Sequence, residues 1–181
     1  VSRNLFEKIT DYSISENFPI TIHASESVHE ETLMQTGTGF FAEVYQKYNV
    51  HWESPKCSTV EFLDKIGVLQ AKPILAHCVQ VSDSDIEKIY QSGSSIAHCP
   101  KSNAKFGHGI APFEKFLNDK INVGFGSDSM ASNNTCDILE EARFATLFAR
   151  TRENCGRFLH AEEIIKTATI GGAKALGLEN K

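Results

Sequence analysis

Residues 19–26 read P-I-T-I-H-A-S-E, an apolar run opened by Pro19 and closed by small polar residues. Ile20 and Ile22 are β-branched, and between such boundaries they predict a short buried strand. The strand ends on His23, and Glu26 follows within the same turn of chain. An imidazole followed at once by a carboxylate is an economical way to hold a metal beside a proton carrier. The pattern of a polar residue closing an apolar strand recurs downstream, in L-A-H at His77, I-A-H at His98 and V-G-F-G-S-D at Asp128. Repeated along one chain, such strand ends point to a single site on the rim of a parallel sheet.

The segments between these strands read as helices. Residues 1–17 carry a helical stripe of Leu5, Phe6, Ile9 and Tyr12, with Ser2 in the N-cap position. Residues 27–56 are less regular, broken by Gly37 and Gly39, with a helix over 39–48 that turns Phe41, Val44, Tyr45 and Tyr48 inward. Ser58 and Glu61 form an S-x-x-E capping box that Gly67 terminates. After the strand at 73–77, Ser82 and Asp85 make a second box, with Val81 placed to staple onto Ile86 and Gly93 as the stop. The third and fourth strands are expected at 94–98 and 121–126, with a short helix between them inside 110–119. Helices over 136–151 and 161–176 follow, with Gly177 as the C-cap.

Strands alternating with helices imply parallel β/α units joined by right-handed crossovers. Four such units are half of an eight-stranded barrel, and the first begins on a helix with no strand before it. A piece of a larger barrel has that pattern, and so does a small open sheet. The long interval from His23 to His77 leaves room for an inserted active-site loop.

Composition narrows the class without naming a function. The chain has 181 residues, 41% hydrophobic and 23% charged, which is ordinary for a soluble domain. Its net charge of −5 argues against binding a phosphate backbone. No apolar run is long enough to span a bilayer, and no signal peptide is evident, so a cytoplasmic protein with no membrane partner is expected. The five cysteines (Cys57, Cys78, Cys99, Cys136 and Cys155) form no C-x-x-C and read as reduced thiols.

Several polar residues have ordinary structural explanations. Asp128, in G-F-G-S-D-S-M-A-S-N-N, has the setting of a helix-capping aspartate among Ser127, Ser129, Asn133 and Asn134. Glu26 alone is a solvated loop charge. A lone histidine at a strand end is more often a core residue than a ligand. Position changes the balance, because His23, His77 and Asp128 close successive strands. Nitrogen and oxygen donors of this kind suit Zn²⁺ or Fe²⁺ better than Ca²⁺. His29, His51, His108 and His160 take the structural reading, with His160 as an N-cap before Ala161. Phe40, Phe41, Tyr45, Tyr48 and Trp52 read as core, although Trp52 lies where it can line a pocket. The sequence contains no dinucleotide fingerprint, no phosphate-binding G-x-x-x-x-G-K-[ST] and no G-x-S-x-G.

Taken in order, I-H-A-S-E at His23, L-A-H-C-V at His77, A-H-C-P-K-S-N-A-K-F-G at His98 and G-S-D-S-M-A-S-N-N at Asp128 resemble the second half of the amidohydrolase superfamily. The resemblance is strongest to its ATZ/TRZ-type deaminases and chlorohydrolases, a group that includes guanine deaminase and the methylthioadenosine/adenosylhomocysteine deaminases. The closing A-T-I-G-G-A-K-A-L-G-L resembles that group's last barrel helix. The resemblance implies an α/β fold, the C-terminal half (strands 5–8) of a (β/α)8 TIM-type barrel, with residues 1–181 as one partial barrel domain. It implies His23 and Asp128 as metal ligands, Glu26 as proton shuttle, His77 against the water or substrate, and Asp128 as general base. Asn103 and Trp52 join His77 as substrate contacts. The cofactor implied is one divalent metal, zinc first and iron as the alternative.

The expected activity is metal-dependent hydrolytic deamination of a purine nucleoside or related aminated heterocycle. Chloride removal or cyclic amide opening on the same fold is the second reading. A metal-free α/β module that binds a ligand or partner is the third. One feature of the group is missing: its first strand supplies an H-x-H, and no two histidines here are two positions apart. The group's small β-sandwich domain is not represented either. The chain is therefore expected to be part of a longer enzyme, inactive and weakly metal-binding alone, and to form a homo-oligomer or pair with a complementary half-barrel.

Overall fold

Four short strands, β1 (Thr21–Ala24), β2 (Ile74–His77), β3 (Ser95–His98) and β4 (Asn122–Phe125), pair in parallel in the order they occur along the chain. A computed structural model of the chain describes residues 2–152 and 158–180, so Val1 and Cys155 lie outside the described residues. Strand order that follows chain order means every crossover advances the sheet in one direction. That is the winding of a barrel and not of a doubly wound sheet, where the order reverses.

The helices are α1 (Arg3–Glu16), α2 (Val28–Thr36), α3 (Phe40–Lys47), α4 (Thr59–Lys65), α5 (Asp83–Ser92), α6 (Pro100–Lys105), α7 (Phe113–Asn118), α8 (Met130–Asn133), α9 (Ile138–Thr151), α10 (Ala161–Lys166) and α11 (Gly172–Ala175). A 3₁₀ turn at Val68–Ala71 leads into β2, and a π turn at Thr167–Gly171 joins α10 to α11. The local start signals act as the sequence predicts. Ser2 caps α1, and at α5 the Ser82 hydroxyl accepts from the Asp85 N–H (3.2 Å) while the Asp85 carboxylate accepts from the Ser82 N–H (2.9 Å). At α4 the box is only half made. Ser58 accepts from the Glu61 N–H, but the Glu61 carboxylate pairs with Lys65 at 2.8 Å.

The sheet register sets Ile22, Leu75, Ile96 and Val123 side by side. This row packs on Val60 and Leu63 of α4, Ile86 and Ile89 of α5, Phe113 and Phe116 of α7, and Ala142 and Ala145 of α9. The opposite face carries His23, Ala76, Ala97 and Gly124 at one level, so small residues leave space in front of the imidazole. At β4 the last helix comes unusually close. A Cβ on Gly171 would lie 2.0 Å from the Val123 carbonyl oxygen, and one on Gly124 would lie 2.9 Å from the Gly172 Cα.

The expected inward face of α3 is corrected in part. Tyr48 is 68% exposed and Phe40 55% exposed. The reason is placement: α3 packs on α2, out on the long connection between β1 and β2, and not on the sheet. Among the described residues β1 and β4 are sheet edges, and Thr21 and His23 are exposed. No helix among them is long and apolar enough to cross a membrane.

Candidate active site

The polar residues singled out in the sequence gather at the carboxyl ends of the strands, where a parallel β/α fold builds its sites. The β2 end is the centre. His77 pairs one register step beyond His23, level with Ala24, and strict pleating would send the two rings to opposite faces. A left-handed backbone at His77 (φ 74°) and Cys78 (φ 47°) breaks the pleat there. The buried His77 ring stacks on His23, with centroids 5.2 Å apart.

Asn103 fixes the far side of that ring. Its Oδ1 lies 2.8 Å from His77 Nδ1. An amide oxygen only accepts, so Nδ1 carries the proton and Nε2 is the atom turned toward the site. Glu26 Oε1 lies 3.6 Å from His77 Nε2 and 3.4 Å from His108 Nε2. Glu26 is itself held by its backbone. Glu30 of α2 accepts the N–H groups of Ser25 and Glu26 at 2.8 Å each and the Thr59 hydroxyl at 2.5 Å.

Asp128 stands past the end of β4 in a left-handed conformation (φ 57°). It accepts from the Ser102 hydroxyl at 2.6 Å and the Ser129 N–H at 2.7 Å. Burial works against its charge, but the hydrogen bonds from Ser102, Ser129 and Ser132, with His77 nearby, outweigh burial and hold its pKa below the ordinary carboxylate value. Ser102 and Asn103 are consecutive residues of α6. One turn of helix therefore grips both Asp128 and His77 and brings the two strand ends to one rim.

The remaining residues fall into place around this group. His98 shares the A-H-C tripeptide of His77, yet it stays in a regular strand and joins the core, stacked on Phe113 with centroids 5.0 Å apart. Burial, and secondarily His77, pushes its pKa down to about 3, so the ring is neutral. Trp52 packs edge-on against Tyr45 in the long connection. His108, expected to be structural, stands beside Glu26. Ser102 and His108 had no signal in the sequence, because each meets its partner only through the fold, and Glu30 likewise reaches Thr59 only through the fold although its bonds to Ser25 and Glu26 are local. Cys57, Cys78 and Cys99 are buried free thiols whose pKa values burial raises, which suits inert core residues.

A model of the amidohydrolase family matches residues 1–181. The chain belongs to the amidohydrolase family. This amidohydrolase chain is 39% identical to the 5-methylthioadenosine/S-adenosylhomocysteine deaminase of Pyrococcus abyssi over 171 residues, covering 94% of the chain and 36% of that protein. It superposes on the crystal structure of an adenosine deaminase from Xanthomonas campestris with bound zinc at a TM-score of 0.83 and 27% identity, covering 100% of the chain and 37% of that structure. Against atrazine chlorohydrolase from Arthrobacter aurescens, complexed with zinc, the TM-score is 0.76 and the identity 26%, over 97% of the chain and 35% of that structure. The amidohydrolase chain thus spans little more than a third of its relatives' length, and its four-stranded sheet is a partial barrel.

The donor chemistry of His23 and Asp128 suits a borderline cation. Among the described residues, however, no three His, Cys, Asp or Glu side chains converge closely enough to hold one. The described residues of this amidohydrolase chain do not by themselves make a complete metal site.

Proposed function

We propose that the chain supplies the acid–base half of a hydrolase that deaminates a purine nucleoside or a related aminated heterocycle. The observation that carries this reading is the grip of Ser102 and Asn103 on Asp128 and His77, which aims a carboxylate and an imidazole at one place. In this reading Asp128, held ionised by its hydrogen bonds, accepts a proton from the attacking water. Glu26 gives a proton at Oε1 to the ring nitrogen, takes one back from the hydroxyl that the water leaves on the attacked carbon, and hands that one to the departing ammonia, after which the proton held by Asp128 restores Glu26. His77 Nε2 orients the water or substrate. Asn103 acts on the substrate through His77, and Trp52 walls the pocket from the long connection.

The zinc in the Xanthomonas campestris and Arthrobacter aurescens structures supports a divalent metal in the assembled enzyme, zinc before iron. His23 and Asp128 are the donors we assign to this chain, with the others from further polypeptide. We assign the strands to the fifth to eighth of the barrel, and residues 1–181 to one partial domain. The exposed edge of β1 is where further strands of the same chain, a second copy or a complementary half-barrel would pair. Reduced buried thiols support a cytoplasmic location.

The likeness to atrazine chlorohydrolase supports a second reading, in which the same rim expels chloride. The test is product analysis with the intact protein on 5-methylthioadenosine, adenosine, guanine and a chlorinated triazine. Ammonia from the first three supports deamination. Chloride from the last with no ammonia from the others supports the second reading, and neither product overturns both.

A further inference from the structure

Two separate loops hold the catalytic partners in place. One is the start of α6, which presents Ser102 to Asp128 and Asn103 to His77. The other runs from Ser127 to Asn133 and carries Asp128 itself. Glu141 of α9 lies behind both and is fully buried. Its Oε2 accepts the Lys101 backbone N–H at 3.1 Å, next to Ser102 in the chain. Its Oε1 accepts from the Asn133 side-chain amide, which also donates to the Ser127 carbonyl at 2.6 Å, next to Asp128. A buried carboxylate is costly unless its lone pairs are used, and a helix facing the core has no need of one. The other buried residues of that helix are all alanines, Ala142, Ala145 and Ala149.

We propose that Glu141 is a positioning residue for the reaction, a single carboxylate that ties the start of α6 to the Asp128 loop and so fixes the distance between Asp128 and the Ser102–Asn103 pair. It touches neither substrate nor reacting atoms. Glu140, beside it, reinforces the same junction from the surface by pairing with the Lys101 ammonium and accepting from the Thr135 hydroxyl at 2.9 Å. The inference rests on the deaminase reading above, since that reading gives Asp128 and His77 their work.

The test is steady-state ammonia release by the intact protein carrying Glu141→Gln, alone and combined with Ser102→Ala. Glutamine keeps the size and one acceptor but replaces the other with a donor facing an N–H. A loss of about 10- to 100-fold in kcat is expected, with KM changed less than about threefold, because misplacement rather than binding is at fault. In the Ser102→Ala background, where Asp128 has already lost its hydrogen bond from α6, the same substitution is expected to cost less than about threefold more. Full additivity of the two losses, or a kcat unchanged by Glu141→Gln, overturns the proposal. Should Glu141→Gln fail to fold, Asn133→Ala breaks the same tie from the other side, and an unchanged kcat there overturns it equally. A wild-type protein that releases no ammonia from any substrate defeats the deaminase reading instead, so the two failures are distinguishable.

Discussion

At the end of β2 a single backbone choice separates a site residue from a core residue. His77 and His98 share the tripeptide A-H-C, but only His77 has a left-handed φ, and only its ring leaves the core to meet His23 and Glu26. His98 remains among Phe113 and Phe125 as a neutral ring with a pKa near 3 instead of the ordinary 6.5. The sign of its effect follows from that depression. The contribution to stability is complete above the unfolded value of 6.5 and is lost as pH falls toward 3, on the order of a few kcal/mol. Urea unfolding at about pH 7.5 and about pH 5 is therefore expected to show a loss of stability in acid that His98→Leu reduces. An equal loss in both proteins would mean that another group is responsible. Glu26 is the residue expected to matter most to turnover. Glu26→Gln in the intact protein should lower kcat by about 10²- to 10⁴-fold with little change in KM, read from ammonia release. A large rise in KM with kcat intact would make Glu26 a binding group and not a proton carrier.

At the scale of elements, the last helix and β4 show what a sequence conceals. The two glycines of I-G-G-A look alike, but only Gly171 lies against the Val123 carbonyl, while a Cβ on Gly172 would meet open space. Gly171→Ala is expected to cost about 1–3 kcal/mol or more, since backbone must move. Gly172→Ala, at an ordinary helical φ of −65°, should be neutral or stabilising by about 0.4–1 kcal/mol. Urea midpoints of the two variants check this, and similar values for both would contradict the close approach. The strands and the capped helices were legible because their signals are local: an apolar run, a Ser with its acid, a terminal Gly. The short helices α2, α6 and α8 lacked a long enough apolar period to be seen. Glu30 and Glu141 were hidden for another reason. Their partners Thr59 and Lys101 lie 29 and 40 residues away, and nothing in either local sequence marks the pairing. The candidate site was thus readable as a set of strand-end residues, but not the scaffold that holds them or the approach of His108.

At the scale of the molecule, apolar side chains are exposed on the first and last helices as well as on elements between them. Leu5, Tyr12, Ile14 and Phe18 are exposed on and after α1, which packs on the 3₁₀ turn before β2, and Ile165, Ile170 and Leu176 are exposed along the helical segment that packs on β4. His23, a proposed metal donor, stands on the open edge strand, so its environment depends on what pairs there. His23 and Asp128, from opposite edges of this sheet, are proposed to meet on one cation in the assembled enzyme. Zinc anomalous scattering from crystals of the intact protein tests this directly. The expected result is one zinc with the His23 imidazole and the Asp128 carboxylate each at about 2.0–2.2 Å. A zinc bound elsewhere, or bound by only one of the two, would contradict it.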